Sequence, residues 1–150
     1  YNAFAHKADI GKWQKVIEIN LMGSFNVIQA ILPYMRAQSY GRIVNLSSVV
    51  AQKGICGTSS YAASKSGLWG MVRSLAMENA TKGITINNLN LGYYNIGMIK
   101  EIPQKQLTAI VDSIPMGRLG NPKNIYQAVD FLRNSDYITG TSIDINGGLV

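Results

Sequence analysis

Apolar and polar positions alternate along this chain with two different periods. Between residues 10 and 36, Trp13, Val16, Ile17, Leu21, Val27, Ile28 and Ile31 recur near helical spacing. Asp9 is placed to cap that helix, and Pro33 inside the pattern predicts a kink or a late break. The run Gly41-Arg-Ile-Val-Asn-Leu-Ser-Ser48 reads as a short buried strand over 42–47, followed by a loop through Gly54 and Gly57. A helix over 60–80 follows, ending before Lys82-Gly83, where glycine suits a C-cap. Ile84 to Leu91 is a second buried strand, and residues 93 to 114 form a long connection with a short helix around Gln104 to Asp112. Pro122 fits the first turn of a helix reaching about Arg133, and Ser142 to Ile145 is a last short strand before Gly147-Gly148. This alternation predicts an α/β fold, a doubly wound parallel sheet with helices on both faces.

A chain of 150 residues makes one domain at most, burying roughly two-thirds of its unfolded surface. Apolar residues make up 47% of it, which places it among globular chains. The net charge of +6 comes from scattered basic residues with no run of three, so a nucleic-acid stripe is not expected. An acidic partner is the alternative use of that charge, with Lys82 and Arg36 as contacts. One cysteine, Cys56, excludes an internal disulfide and fits a reducing cytosol; with one histidine, His6, no metal site can be drawn. Apolar stretches are broken before 18 positions and Tyr1 to Lys12 lacks a signal-peptide core, so neither a membrane span nor export is expected. A cytoplasmic location follows as the expectation.

The candidate chemistry lies at the end of the first strand. Tyr61 and Lys65 stand one helical turn apart, and Ser48 precedes Tyr61 by 13 residues at the strand's carboxyl end. Positions i and i+4 share a helix face. A hydroxyl, a phenol and an ammonium meeting there can pass a proton to and from an oxygen on carbon, and a neighbouring cation favours an ionised phenol. Taken singly, each residue has a plainer reading: a turn serine, a half-buried tyrosine, a solvated lysine. Their joint placement is what points to a site.

This order and spacing resemble the short-chain dehydrogenase/reductase family, in the branch of the 3-oxoacyl-(acyl-carrier-protein) reductases. Asn20 in Ile-Asn-Leu-Met-Gly-Ser-Phe resembles the family's helix asparagine, and Ser48, Tyr61 and Lys65 match its catalytic serine, tyrosine and lysine. Gly83 to Gly92, Pro115 to Pro122 and Thr139 to Gly148 resemble its later landmarks. The resemblance implies a Rossmann-like domain of which residues 1–150 are the C-terminal portion, with about three strands. It also implies hydride transfer between NAD or NADP and a carbonyl or secondary alcohol, with an acyl-carrier-linked substrate as one option. Ser48 would bond the substrate oxygen and Tyr61 would exchange its proton. Lys65 would hold the nicotinamide ribose beside Tyr61, and Asn20 would hold a water. Gly92, Tyr94 and Ile96 would line the cofactor. Tyr93 to Ser113 would form the lid, with Tyr94, Met98 and Ile102 facing a partly apolar ligand.

Three departures from the family's pattern are visible. Its Pro-Gly turn is Leu91-Gly92, the threonine four residues after that glycine is Ile96, and its final Asp-Gly-Gly is Asn146-Gly-Gly. The chain has no G-x-G-x-x-G turn for a pyrophosphate, so the nucleotide-binding half is expected to be missing and the isolated chain inactive. The alternative is a non-catalytic fragment or oligomerisation module that keeps the fold without a cofactor. Helix 60–80 carries Leu68, Trp69, Met71, Val72, Leu75, Ala76 and Met77, more than one buried stripe needs. A homo-oligomer, dimer or tetramer, built on helices 10–36 and 60–80 is therefore expected.

Overall fold

The computed structural model describes residues 1–150 apart from the side chain of Met98, so the lid role expected of Met98 lies outside the described residues. The N-terminal helix runs from 10 to 38 in three parts: α1 (Ile10–Ile17), a π-helical turn (Glu18–Met22) and α2 (Gly23–Gln38). Asp9 caps it as expected, its carboxylate accepting from the Lys12 N–H at 2.9 Å. Pro33 sits inside α2, while the change of helical pitch falls earlier, at Glu18–Met22. Its neighbours explain the position: a Cβ on Gly67 of the next helix would come within 2.8 Å of Leu21. The two helices are that close there, and Asn20 bonds across the contact to Ser64.

Three parallel strands follow the order β1 (Gly41–Ser48), β2 (Ile84–Leu91), β3 (Ser142–Ile145). The register pairs Ile43 with Ile86 and Ser48 with Leu91, then Asn88 with Ser142 and Leu91 with Ile145. Helix α3 (Ser59–Asn79) and α2 pack on one face of this sheet. Ile28, Ile43, Val72, Leu75, Ala76, Ile84 and Ile86 form the core between them. The connection from β2 to β3 carries α4 (Gln104–Ser113) and α5 (Pro122–Asn134). Arg42, on the opposite side of β1 from Ile43, donates to the Arg133 carbonyl at the end of α5. Helices therefore cover both faces. Since α3 and α5 leave on opposite faces while both connections step the same way across the sheet, the two crossovers have opposite hands, and one departs from the right-handed rule.

The apolar surplus expected on α3 is mostly spent inside. Leu68, Val72, Leu75 and Ala76 are buried. Trp69 turns inward, its indole N–H donating to Ser47 Oγ (3.3 Å) and Asn90 Oδ1 (3.1 Å), so it is not the outward anchor that its hydrophobicity suggests. Met77 stays exposed on α3, and helix 10–38 exposes Ile10, Ile19, Met22, Phe25, Val27 and Tyr34. Arg36, considered above for an acidic partner, is engaged within the chain, donating to Asn79 Oδ1 (2.7 Å) and the Glu78 carbonyl.

The carboxyl half of β2 is buried but polar. Asn87 donates to the Ile138 carbonyl (2.8 Å) and accepts from the Thr141 N–H (3.2 Å). Asn88 donates to Ser142 Oγ (3.0 Å), and Asn90 donates to Asp144 (2.7 Å). These amides tie β2 to the β3 segment more than fifty residues later. At the other end of the strand, Gly83 has φ +67° and an added Cβ would lie 2.5 Å from the Ser39 carbonyl oxygen. Gly83→Ala is expected to destabilise the chain by more than about 1 kcal/mol. For a domain of this size that lowers the thermal midpoint by roughly 2–4 °C or more; an unchanged midpoint would contradict the close approach.

Candidate active site

β1 ends at Ser48, whose extended backbone leads into a single 3-10 turn, Val49–Ala51. Ser48 caps that turn, its Oγ accepting from the Val50 N–H at 3.3 Å, and the residue is buried. The loop then returns to start α3 at Ser59, which puts Tyr61 in the first turn and Lys65 in the second. Ser47 Oγ donates to the Lys65 carbonyl (3.1 Å) and Ser66 Oγ to the Ala51 carbonyl (3.1 Å), pinning the start of α3 to the carboxyl end of β1.

Two of the expected residues, Lys65 and Asn20, come to Tyr61, Asn20 through Ser64. The Lys65 Nζ lies 5.7 Å from the centroid of the Tyr61 ring. Asn20 Nδ2 donates to Ser64 Oγ (3.2 Å), and Ser64 Oγ donates to the Tyr61 carbonyl (2.7 Å). Asn20 occupies the π turn, an irregularity that recurs at functional positions in helices, and Ser24 Oγ donates to its carbonyl at 2.8 Å. The Tyr61 hydroxyl makes no hydrogen bond among the described residues, so it is free to meet a ligand. Sequence reasoning missed Ser64, the fully buried link between Asn20 and Tyr61. Its place three residues after Tyr61, on the same helix face, was the available signal.

The Lys65 ammonium donates to the Leu46 carbonyl at 2.7 Å. Burial pushes its pKa below the 10.5 of a free lysine, because desolvation disfavours the charged form. The sign for stability follows. Between the lowered folded pKa and 10.5 the unfolded chain holds more protons at this position than the folded chain, so stability rises with pH across that window. Comparing denaturant unfolding of the wild type and Lys65→Met from pH 8 to pH 10.5 isolates the contribution. The wild type is expected to gain stability relative to the mutant as pH rises, and a pH-independent difference would show Lys65 to be unperturbed.

The residues expected along the cofactor follow one another after β2, the Ile96 N–H donating to the Tyr94 carbonyl at 2.8 Å, but their side-chain positions differ. Gly92 is pressed against the backbone of Asn146, where a Cβ would come within 2.8 Å of its Cα, so packing alone demands glycine there. Tyr94 is buried, and its hydroxyl donates to the Ile145 carbonyl at 2.9 Å. Ile96 is exposed and begins the 3-10 turn Gly97–Glu101. An open hollow of about 450 Å³ lies between Tyr93, Met116, Arg118, Asp144 and the Gly147-Gly148 turn, and neither Ser48, Tyr61 nor Lys65 lines it. Most polar groups around it are already engaged: Asp144 accepts from Asn90 and Gln52, and Asn124 from the Asn121 N–H. The Tyr61 cluster lies outside this hollow.

Comparison with known proteins identifies the family. A family model described as enoyl-(acyl carrier protein) reductase matches residues 2–150. The chain belongs to the short-chain dehydrogenase/reductase family. Among its short-chain dehydrogenase/reductase relatives, the acetoacetyl-CoA reductase of Shinella zoogloeoides is 43% identical over 150 residues, covering 98% of this chain and 62% of the relative. Nodulation protein G of Azospirillum brasilense is 43% identical over 148 residues, covering 97% of this chain and 60% of that protein. The 3-oxoacyl-[acyl-carrier-protein] reductase FabG of Thermotoga maritima is 43% identical over 140 residues, covering 92% and 57%. The chain thus spans about 60% of the length of these relatives.

Proposed function

We propose that residues 1–150 are the proton-handling, C-terminal portion of a single-domain oxidoreductase that interconverts a carbonyl and a secondary alcohol, with a 3-oxoacyl thioester as substrate class. The observation that carries this reading is the linkage Asn20–Ser64–Tyr61, with Lys65 against the same ring at the carboxyl end of β1. Ser48 would bond the substrate oxygen, and Tyr61 would give that oxygen its proton in reduction and take it back in oxidation. Lys65 would favour the ionised phenol by its charge. Asn20, held through Ser64, would position a water beside Lys65.

The residues present fit a nicotinamide cofactor on the ribose side. An ammonium has three donors, and Lys65 spends one on Leu46, leaving two for a pair of ribose hydroxyls. Bound there, NAD(H) or NADP(H) would supply the hydride. Gly92 and Ile96 would lie along its nicotinamide end, Ile96 through apolar contact in place of a hydroxyl. Tyr94 would act through packing, since its hydroxyl is spent on Ile145.

The test is an assay of a longer form that carries a nucleotide-binding half. Nicotinamide absorbance would be followed with 3-oxoacyl thioesters, on a free thiol carrier and on acyl carrier protein. Oxidation of NADH or NADPH is expected with at least one of them. Turnover with neither cofactor would favour the second reading, a non-catalytic module, which Ile96 in the threonine position supports.

We also propose that the exposed apolar side of helix 10–38 joins two copies of the chain. By length and composition alone this helix could cross a membrane, contrary to the expectation that no stretch is long enough. The Asn20–Ser64 and Arg36–Asn79 bonds and the Leu21–Gly67 contact tie it to α3, which favours a protein–protein face over a lipid one.

A further inference from the structure

Asn146-Gly147 is the one place in the chain where glycine follows asparagine. A glycine amide has no side chain to shield it, so its nitrogen reaches the side-chain carbonyl of the preceding residue more readily than any other. The fold requires glycine there for its own reasons. Gly147 has φ +71° and an added Cβ would lie 2.8 Å from Ile114, and Gly148 follows with φ +88°. The turn after β3 therefore builds in the most reactive neighbour an asparagine can have.

Further features of the turn bear on its chemistry. The Asn146 Oδ1 accepts from the N–H groups of Gly148 and Leu149, each at 3.0 Å. Two donors on one carbonyl oxygen draw charge from Cγ and are in place to stabilise an oxyanion formed there. The Asn146 Nδ2 is buried and has no partner among the described residues, so no bond holds it back as a leaving group. The Gly147 N–H likewise has no acceptor among them, while the Gly147 carbonyl is fixed by the Met116 N–H at 3.1 Å. At Asn134-Ser135, by contrast, the amide nitrogen is tied to the Asp130 carbonyl at 2.9 Å. Water reaches the turn, since Gly148 is exposed and Asn146 lines the open hollow that Arg118 also lines.

We propose that Asn146 is a self-modifying site, converted to a carboxylate by attack of the Gly147 nitrogen on the side-chain amide. Hydroxide takes the Gly147 proton and the N–Cγ bond forms. The Cγ–Nδ2 bond then breaks, and Nδ2 leaves as ammonia with a proton from water. The five-membered succinimide takes up one water at either carbonyl and opens to aspartate or to isoaspartate; nothing is oxidised or reduced. In the aspartate product the same two N–H groups meet an ionised acceptor, and hydrogen bonds to a charged partner are the stronger kind. A negative charge is gained at the hollow beside Arg118. The inference stands apart from the oxidoreductase reading.

The chain would be incubated at pH 8.5 and 37 °C, folded in buffer and unfolded in guanidinium chloride, then digested with chymotrypsin, which separates Asn134 from Asn146 by cutting after Tyr137. Mass spectrometry should show the peptide carrying residue 146 gaining one mass unit, at least fivefold faster in the folded chain than in the unfolded one. Asn146→Gln, whose longer side chain must close a six-membered ring, should gain none over the same period. No gain in the wild type would overturn the site. A folded rate equal to or below the unfolded one would overturn the role of the two N–H donors. Asn146→Asp, the product made directly, should unfold no earlier on heating than the wild type, and an earlier midpoint would overturn the fit of the carboxylate to the turn.

Discussion

Tyr61→Phe, in a form carrying a nucleotide-binding half, is expected to lower carbonyl reduction by roughly 10²–10⁴-fold, the range that general acid–base catalysis supplies. Folding should be untouched. The hydroxyl has no partner among the described residues, and phenylalanine keeps the ring against which Lys65 lies at 5.7 Å. Unfolding midpoints of mutant and wild type should therefore agree to within about 0.5 kcal/mol. Retention of more than about a tenth of wild-type turnover would remove Tyr61 from the mechanism. A large loss of stability would show that the hydroxyl has a structural partner instead.

The second large effect is on assembly. Met22 and Phe25 lie exposed about one turn apart, at 55% and 45% of their surface, among the apolar side chains of the 10–38 helix. Light scattering at tens of micromolar is expected to give at least twice the mass of one chain. Met22→Glu combined with Phe25→Glu should reduce it to one. An unpaired charge at a dry interface costs several kcal/mol, and two per copy would weaken a micromolar contact at least a thousandfold at about 1.4 kcal/mol per decade. A monomeric wild type, or an assembly that survives both substitutions, would place the interface elsewhere. Trp69→Glu is the wrong probe for it, because the indole faces Ser47 and Asn90.

Local chemistry made most of the fold legible. Ile84–Leu91 and Ser142–Ile145 fall where the pattern put them, because Gly83, Gly92, Gly140 and Gly147 punctuate both ends. β1 gains one residue at each end over the expected 42–47, since parallel pairing with Ile84 and Leu91 extends it. The π turn was not legible: nothing local to Glu18–Met22 demands it, and its partners, Ser64 and Gly67, lie more than forty residues away. The inward turn of Trp69 was not legible either, since its partners Ser47 and Asn90 lie on two strands outside the helix. At the site, spacing alone brought Tyr61 and Lys65 to one helix face. The Lys65–Leu46 bond, which depends on a backbone carbonyl with no side-chain signature, could be seen only in three dimensions.

The asparagines of β2 carry a thermodynamic consequence. Exposing apolar surface raises the heat capacity of a protein and exposing polar surface lowers it. A central strand that buries Asn87, Asn88 and Asn90 in place of aliphatic side chains, beside Ile84, Ile86 and Leu89, therefore contributes less to the heat-capacity change of unfolding than an all-aliphatic one. The stability curve of this sheet is flattened relative to one with an all-aliphatic centre, so its strength depends less on temperature at the cold end. What holds the carboxyl ends of the strands in place, beneath the candidate site, is an enthalpic lattice of amides whose grip does not fade as water cools.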